Sequence, residues 1–144
     1  MKVKVKVPAT SANLGPGFDV AGLALTLYNT FTFELNEGGL NITGCPTQFC
    51  NEENLTYQAF SQAAQSCGLD FKGVNIHCES QVPYTRGLGS SSTCIVAGIV
   101  GAFAFKDKTD DRQEILELAT KIEGHPDNVA PAIFGGLTVS VMEE

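Results

Sequence analysis

The sequence predicts an α+β fold in a single domain over residues 1–144, because strand and helix patterns alternate irregularly along the chain. Valines alternate with lysines in MKVKVKV, and this period of two is typical of a strand with one buried face. The apolar stretch at residues 95–105, which contains two glycines, predicts a buried helix. Residues 115–122 carry apolar side chains three and four positions apart, which predicts an amphipathic helix.

The N-terminal strand is expected to bury its valines and to end at Pro8, which has no backbone N–H to donate. Residues 10–17 (TSANLGPG) are too rich in Gly, Pro and Asn for a regular element, so they predict a shaped loop. Residues 31–35 (FTFEL) and 40–43 (LNIT) flank the turn-forming EGG and predict two strands paired with each other.

In the middle of the chain, residues 54–67 carry apolar side chains at near-helical spacing and stop before Gly68, a residue suited to a helix C-terminal cap. Alternation over residues 74–78 predicts a strand that leads into the loop QVPYTRGLG. Farther on, Asp111 followed by Glu114 resembles a capping box at the start of the amphipathic helix. The closing GGLTVSVMEE predicts a last strand.

The composition argues for a cytoplasmic protein without a nucleic-acid or membrane partner. A formal net charge of −7 gives no general basic face for nucleic acid or anionic lipid. The N-terminus has no signal-like apolar segment, and residues 95–105 are too short to cross a bilayer. Five scattered cysteines form no CxxC pair or zinc-like cluster and are expected to be reduced thiols: Cys45, Cys50, Cys67, Cys78 and Cys94.

The polar segment RGLGSSST directly precedes the apolar helix. A helix N-terminus offers unpaired N–H groups and partial positive charge, so glycines and serines placed there predict a phosphate site. The alternative is an ordinary N-cap, in which one serine satisfies the helix end and the glycines only turn the chain. The segment is neither a Walker A loop nor a GxGxxG fingerprint, because the lysine and the glycine spacing are missing.

Three stretches of the sequence together resemble one kinase superfamily. Residues 83–93 (PYTRGLGSSST) resemble the P-x-x-x-G-L-G-S-S-[AS] nucleotide motif of the galactokinase, homoserine kinase, mevalonate kinase and phosphomevalonate kinase (GHMP) superfamily. Residues 8–25 (PATSANLGPGFDVAGLAL) and 123–136 (EGHPDNVAPAIFGG) resemble the homoserine kinases within it. The resemblance implies a ribosomal protein S5 domain 2-like fold with a left-handed βαβ unit, forming the ATP-binding N-terminal domain. It also implies a ferredoxin-like C-terminal domain, which is expected to be missing from a truncated chain.

The resemblance further implies phosphorylation of L-homoserine to O-phospho-L-homoserine in threonine biosynthesis, with ATP and Mg²⁺. The residues implied to bind ATP are Pro83, Tyr84, Thr85, Arg86, Gly87, Leu88, Gly89, Ser90, Ser91, Ser92 and Thr93. Ser91 and Glu123 are the implied metal ligands. For Glu123, the alternative is a solvated residue in the last turn of a helix, where a negative charge is unfavourable. Arg86 either contacts a phosphate or is solvated.

The residues implied to hold homoserine are Asn13, Asp19, His125 and Asn128. Taken alone, Asn13 is equally well explained as a turn residue. A single histidine next to proline, such as His125, is more often a loop hydrogen bonder than a catalyst. Glu123 and Asn128 are the implied catalytic residues, and Asp127 is a reserve. Related kinases carry an aspartate base where Asn128 stands, so the implied reaction proceeds by in-line transfer without a strong base.

Two other functions compete with this interpretation. One is another kinase of the same superfamily, acting on mevalonate or a sugar. The other is a nucleotide-binding module without catalysis, because the superfamily's third glycine-rich motif and the arginines that hold the substrate carboxylate are expected in a missing half. Only Arg86 and Arg112 are present in this sequence. A homodimer is a further expectation.

Overall fold

The computed structural model describes residues 1–11, 23–80, 90–124 and 126–142. Within these ranges, five strands form one sheet and four α-helices accompany it. In chain order the elements are β1 (Lys2–Ser11), β2 (Leu23–Asn36), β3 (Leu40–Thr43), a 3-10 helix (Thr47–Phe49), α1 (Leu55–Cys67), β4 (Gly73–Ser80), α2 (Ser90–Phe105), α3 (Arg112–Glu123), α4 (Val129–Phe134) and β5 (Thr138–Met142). The predicted α+β class is confirmed.

The strand order in the sheet is β3-β4-β2-β1-β5. β4 is parallel to β3, and every other neighbouring pair is antiparallel. Because β1 and β4 both run antiparallel to β2, they end at the same end of the sheet, where β2 begins. We call this the β1/β4 end. β3, α1 and β4 form the βαβ unit that the resemblance implies, and its left hand stays a prediction.

The expected pairing of β2 with β3 is wrong, because β4 lies between them. Asn36 Oδ1 accepts hydrogen bonds from the backbone N–H groups of Gly38 and Gly39 at 2.7 and 2.9 Å, which turns the chain after β2. Gly73 then starts β4 so close to this turn that a Cβ there would collide with the Gly39 backbone. β4 thus lies in the gap between β2 and β3. Its first residue is Gly73, because no larger residue fits beside the turn.

The expected end of the first strand at Pro8 is also wrong, because β1 continues to Ser11. The pairing of β1 with β5 reaches only Lys6, so beyond that residue β1 has β2 alone as its neighbour. A proline without an N–H fits such an edge position, and the register of the β1–β2 pair shifts between Pro8 and Thr10. The predicted loop at residues 10–17 therefore starts later, and residues 12–17 lie outside the described ranges.

The predicted helices are confirmed, together with the predicted caps at Gly68 and Asp111, and Asn54 is an N-cap that was not predicted. Asn54 Oδ1 accepts from Tyr57 N at the start of α1, and Asp111 Oδ1 accepts from Glu114 N at the start of α3. Gly68 and Gly124 end the same two helices with φ of 78° and 99°. The last strand, β5, is confirmed as well, whereas α4 was not predicted.

The apolar helix α2 is buried against the sheet and against α1. Its two inner glycines allow this, since a Cβ at Gly98 would collide with Thr56 of α1 and a Cβ at Gly101 with the ring of Phe33 in β2. Phe33 in turn stacks on Phe60 of α1 at a ring distance of 5.4 Å. α2 is thereby held in place over the sheet.

Candidate functional site

Two of the three motif segments leave the sheet at the β1/β4 end. β1 ends at Ser11, directly before the segment that contains Asn13 and Asp19, and β4 ends at Ser80, directly before the glycine segment. In the strand register, Asn29 of β2 pairs with Val7 of β1 on one side and with Ser80 on the other. The two segments therefore start on either side of β2 at the same end of the sheet.

A buried polar network fixes the start of α2 at this end. Asn29, which is only 3% exposed, donates from Nδ2 to Thr93 Oγ1 at 2.8 Å. Its Oδ1 accepts from Ser80 Oγ, also at 2.8 Å. The network ties β2, the end of β4 and the first turn of α2 together. It therefore fixes the position of the helix start, whose first N–H groups have no partner within the helix.

The serines of the first turn have different environments. Ser91 is exposed, whereas Ser92 is fully buried and its Oγ has no hydrogen-bond partner among the described residues. Thr93, also buried, is the partner of Asn29. A buried hydroxyl without a hydrogen-bond partner lowers the stability of the fold by about 1–3 kcal/mol. Ser92 is therefore the residue of this turn whose hydroxyl still needs a partner from outside the described ranges. The resemblance implies the metal role for Ser91 and does not distinguish Ser92 from the other residues implied to bind ATP.

The third motif segment connects α3 to α4, and both helices pack against α2. Glu123 is the last residue of α3 and is partly exposed, beside the helix C-terminus where a carboxylate is not stabilised by the helix dipole. Asn128 stands at the N-cap of α4, and its side chain makes no capping hydrogen bond. The chain after α4 returns to the sheet at Gly136, where a Cβ would lie 3.7 Å from Tyr28 Oη and 3.8 Å from Pro8 Cγ.

Several predicted site residues lie outside the described ranges, so their placement stays a prediction. They are Asn13, Asp19, Pro83, Tyr84, Thr85, Arg86, Gly87, Leu88, Gly89 and His125. Of the two arginines, Arg112 has a structural contact, since its Nη1 donates to the Ile133 carbonyl of α4 at 3.5 Å. The described part of the chain holds no group of three or more His, Cys, Asp or Glu side chains that could bind a metal by themselves.

A cavity of about 280 Å³ lies beside the start of α2 and was not foreseen from the sequence. Its walls come from β2, β4, the 3-10 helix region and the first residues of α1 and α2. The lining residues include Asn29, Phe31, Cys45, Phe49, Leu55 and Cys94. The walls are mainly apolar with a few polar groups, which is typical of a small-molecule site. No local motif predicts the cavity, because its walls come from segments far apart in the sequence.

A family model described as "GHMP kinases N terminal domain" matches residues 54–136, from the N-cap of α1 through the third motif segment. The chain belongs to the GHMP kinase family. The predicted family is thus confirmed.

Among the described residues, no helix combines the length and the apolar character needed to span a membrane.

Individual GHMP kinases match nearly the whole chain. A homoserine kinase of Clostridium beijerinckii is 52% identical over 143 residues, which are 99% of this chain and 48% of that protein. A solved Listeria monocytogenes protein described as a homoserine kinase is 36% identical with a TM-score of 0.78, over 98% of this chain and 50% of its own. Mevalonate kinase of Methanococcus jannaschii shares the fold at 15% identity and a TM-score of 0.70, over 97% of this chain and 53% of its own. This chain spans about half the length of the relatives that it matches.

Proposed function

We propose that this chain provides the nucleotide-binding part of a cytoplasmic enzyme that transfers the γ-phosphoryl group of ATP to the hydroxyl of L-homoserine, a step of threonine biosynthesis. The observation that supports the phosphate site is the Ser92 hydroxyl in the first turn of α2, which is buried and has no hydrogen-bond partner among the described residues. The choice of homoserine rests on the homoserine kinases that are 52% and 51% identical to this chain.

The phosphates of ATP would lie against the first turn of α2. Backbone N–H groups at a helix N-terminus bind anions, and the glycines at residues 87–89 leave room for a phosphate to approach. The hydroxyls of Ser90, Ser91 and Ser92 add donors. A phosphate oxygen or its counterion would give the buried Ser92 Oγ the partner that it lacks within the described ranges.

The residues present fit a magnesium ion bound together with the nucleotide. Mg²⁺ in kinases is held by one or two protein groups and otherwise by phosphate oxygens and water. Ser91, which is exposed, and Glu123, which is partly exposed, would be the protein groups. When bound, the ion neutralises charge on the phosphates.

The cavity beside α2 would take the adenine base. At about 280 Å³ it lies just below the usual range of ligand pockets, so it suits one flat ring system rather than a whole nucleotide. Asn29 belongs both to the cavity wall and to the network that fixes the phosphate-binding turn. A nucleotide with its base in the cavity would therefore have its phosphates near the start of α2.

In the transfer step, the hydroxyl oxygen of homoserine forms a bond to the γ-phosphorus as the bond to the ADP oxygen breaks, and the hydroxyl proton passes to solvent or phosphate. Asn13, Asp19, His125 and Asn128 would hold the acceptor, with Asp19 pairing with its ammonium group. The amide of Asn128 cannot take up a proton, so these residues would act by alignment. Phosphoryl transfer depends mainly on alignment and charge neutralisation, which makes this arrangement adequate.

Two measurements test the proposal. Calorimetric titration of the protein with ATP and Mg²⁺ should give saturable binding, and its absence would refute the nucleotide site. ADP release should then be measured with L-homoserine, with mevalonate and without an acceptor. Faster release with mevalonate would refute the choice of homoserine. This assay needs the full-length protein, because the chain spans about half the length of its relatives and is expected to show weak or absent turnover by itself. ATP binding without release by the full-length protein, for any acceptor, would favour a nucleotide-binding module over an enzyme.

A further inference from the structure

Four of the five cysteines gather at the cavity beside α2. Cys45, Cys78 and Cys94 line its wall. Cys50 is next to Cys45, with the two Sγ atoms 3.2 Å apart. None of the five is in a disulfide. These positions are 5 to 49 residues apart in the sequence, so the fold, and not a local motif, brings the thiols together.

The short 3-10 helix holds Cys45 and Cys50 close together. Its turn is closed by hydrogen bonds from Phe49 N to the Pro46 carbonyl at 2.9 Å and from Cys50 N to the Thr47 carbonyl at 3.1 Å. The Cys50 thiol also points toward the carbonyls of Cys45 and Pro46, each at 3.6 Å. The pair is therefore a built-in feature of this turn.

Both ends of the turn are attached to the body of the fold. On one side, Gly44 has a φ of 86° and lies so close to β4 that a Cβ would collide with the Cys78 carbonyl. On the other side, Asn54 Nδ2 donates to the Phe49 carbonyl at 2.9 Å. These contacts hold the backbone that carries the two thiols against the body of the fold.

We propose that Cys45 and Cys50 form a reversible oxidation site, at which a low-molecular-weight disulfide such as glutathione disulfide converts the two thiols into an intramolecular disulfide in the cavity wall. The Cys50 sulfur attacks one sulfur of glutathione disulfide and releases one glutathione thiol. The Cys45 sulfur then attacks Cys50 in the mixed disulfide and releases the second glutathione. The protein loses two hydrogen atoms, and the oxidant gains them.

The order of these steps follows from the surroundings of Cys45. Desolvation, together with the neighbouring Cys50 sulfur, raises the pKa of Cys45 to about 11, so Cys45 remains a thiol at neutral pH. Once Cys50 is in the mixed disulfide, its contribution to that rise disappears. Closing the bond then needs the sulfurs to move from 3.2 Å to the disulfide distance of about 2.05 Å, a shift of about 1 Å.

The other three cysteines are poor competitors. Cys67 is buried within α1 and directs its thiol to the Ala64 carbonyl. Burial raises the pKa of Cys78 to about 12 and also raises the pKa of Cys94. A disulfide between Cys45 and Cys50 would also restrict the position of Phe49, which lies between them in the sequence. Phe49 is 47% exposed and lines the cavity. The site does not depend on the identity of the cavity's ligand.

The test treats the folded protein with glutathione disulfide and measures its mass, then maps the bridged peptides. We expect a mass lower by two hydrogen atoms, a bridge between Cys45 and Cys50, and full reversal by dithiothreitol. Cys67→Ser serves as the matched control and should behave like the unmodified sequence. Cys45→Ser should instead retain one glutathione on Cys50, and Cys50→Ser should stay largely unmodified.

Two results would overturn the proposal. One is a wild-type protein that retains glutathione without losing two hydrogen atoms, and the other is a bridge mapped to a different pair. Both are read from the wild-type protein, so they do not depend on the folding of any variant. Circular dichroism of each serine variant shows whether its result refers to the native fold.

Discussion

Asn29 Nδ2 donates a hydrogen bond to Thr93 Oγ1 at 2.8 Å across 64 residues of sequence. Asn29 Oδ1 accepts from Ser80 Oγ at the same distance. Ser80 directly precedes residues 81–89 and Thr93 follows soon after them, so one buried amide holds both flanks of the glycine segment. A single side chain in β2 thus couples the sheet to the proposed phosphate site.

Replacing Asn29 with alanine should lower both stability and ATP affinity. The substitution removes one buried and one partly buried hydrogen bond and leaves Thr93 and Ser80 without this partner, which is expected to cost about 1–3 kcal/mol of unfolding free energy. Urea unfolding and ATP titration measure the two effects. Asn41→Ala, at an exposed position of β3, is the control and should change neither. Unchanged ATP affinity in a destabilised Asn29→Ala protein would reduce the network to a purely structural role.

Replacing Ser92 with alanine should separate binding from stability. The buried Oγ has no partner among the described residues, so its removal should leave unfolding free energy unchanged or slightly higher. If the hydroxyl binds a phosphate, ATP affinity should fall by about 10- to 100-fold, since a hydrogen bond to a charged group contributes about 1.5–3 kcal/mol. Ser66→Ala, on the exposed side of α1, is the matched control. Equal ATP affinities in the two variants would remove Ser92 from the site.

Replacing Glu123 with glutamine distinguishes a metal ligand from a solvated helix end. A carboxylate beside a helix C-terminus is unfavourable, so the neutral amide should leave stability unchanged or raise it by a few tenths of a kcal/mol. The Mg²⁺ concentration needed for half-maximal ATP binding should rise. Glu117→Gln, an exposed position of the same helix, is the control. An unchanged Mg²⁺ requirement would support the solvated alternative.

Stability should fall in alkaline solution because of the buried thiols. Desolvation raises the pKa of Cys78 from 9.0 to about 12, so the folded protein favours the neutral thiol. This contribution is fully present below pH 9 and is lost as the pH rises toward 12, with a slope of up to about 1.4 kcal/mol per pH unit for one thiol. Urea unfolding between pH 8 and 11 measures the slope, which should be smaller in Cys78→Val. Identical slopes in both proteins would contradict the assignment.

The features that the sequence predicted correctly have local causes. The predicted cap residues Gly68 and Asp111 act within a few positions of themselves, so their patterns can be recognised in the sequence. The three motifs predicted the kinase family because each is a short continuous segment of the sequence.

The features that were missed are non-local. Nothing near Asn29 in the sequence indicates that its partner is Thr93, and nothing in the EGG turn indicates that β4 will separate β2 from β3. The cavity likewise needs segments that meet only in the folded chain. The continuation of β1 past Pro8 is also non-local, because it depends on the residue at which β5 stops pairing with β1.

The position of β4 also has a consequence for synthesis on the ribosome. β4 follows both β2 and β3 in the chain but lies between them in the sheet. A growing chain can form the β1–β2 hairpin early, because antiparallel hairpins close within microseconds. The other side of β2 must then wait for residues 73–80 to emerge, and until then an open strand edge is available for pairing with other chains. During the interval between the synthesis of β2 and β4, this edge of β2 is therefore exposed to aggregation.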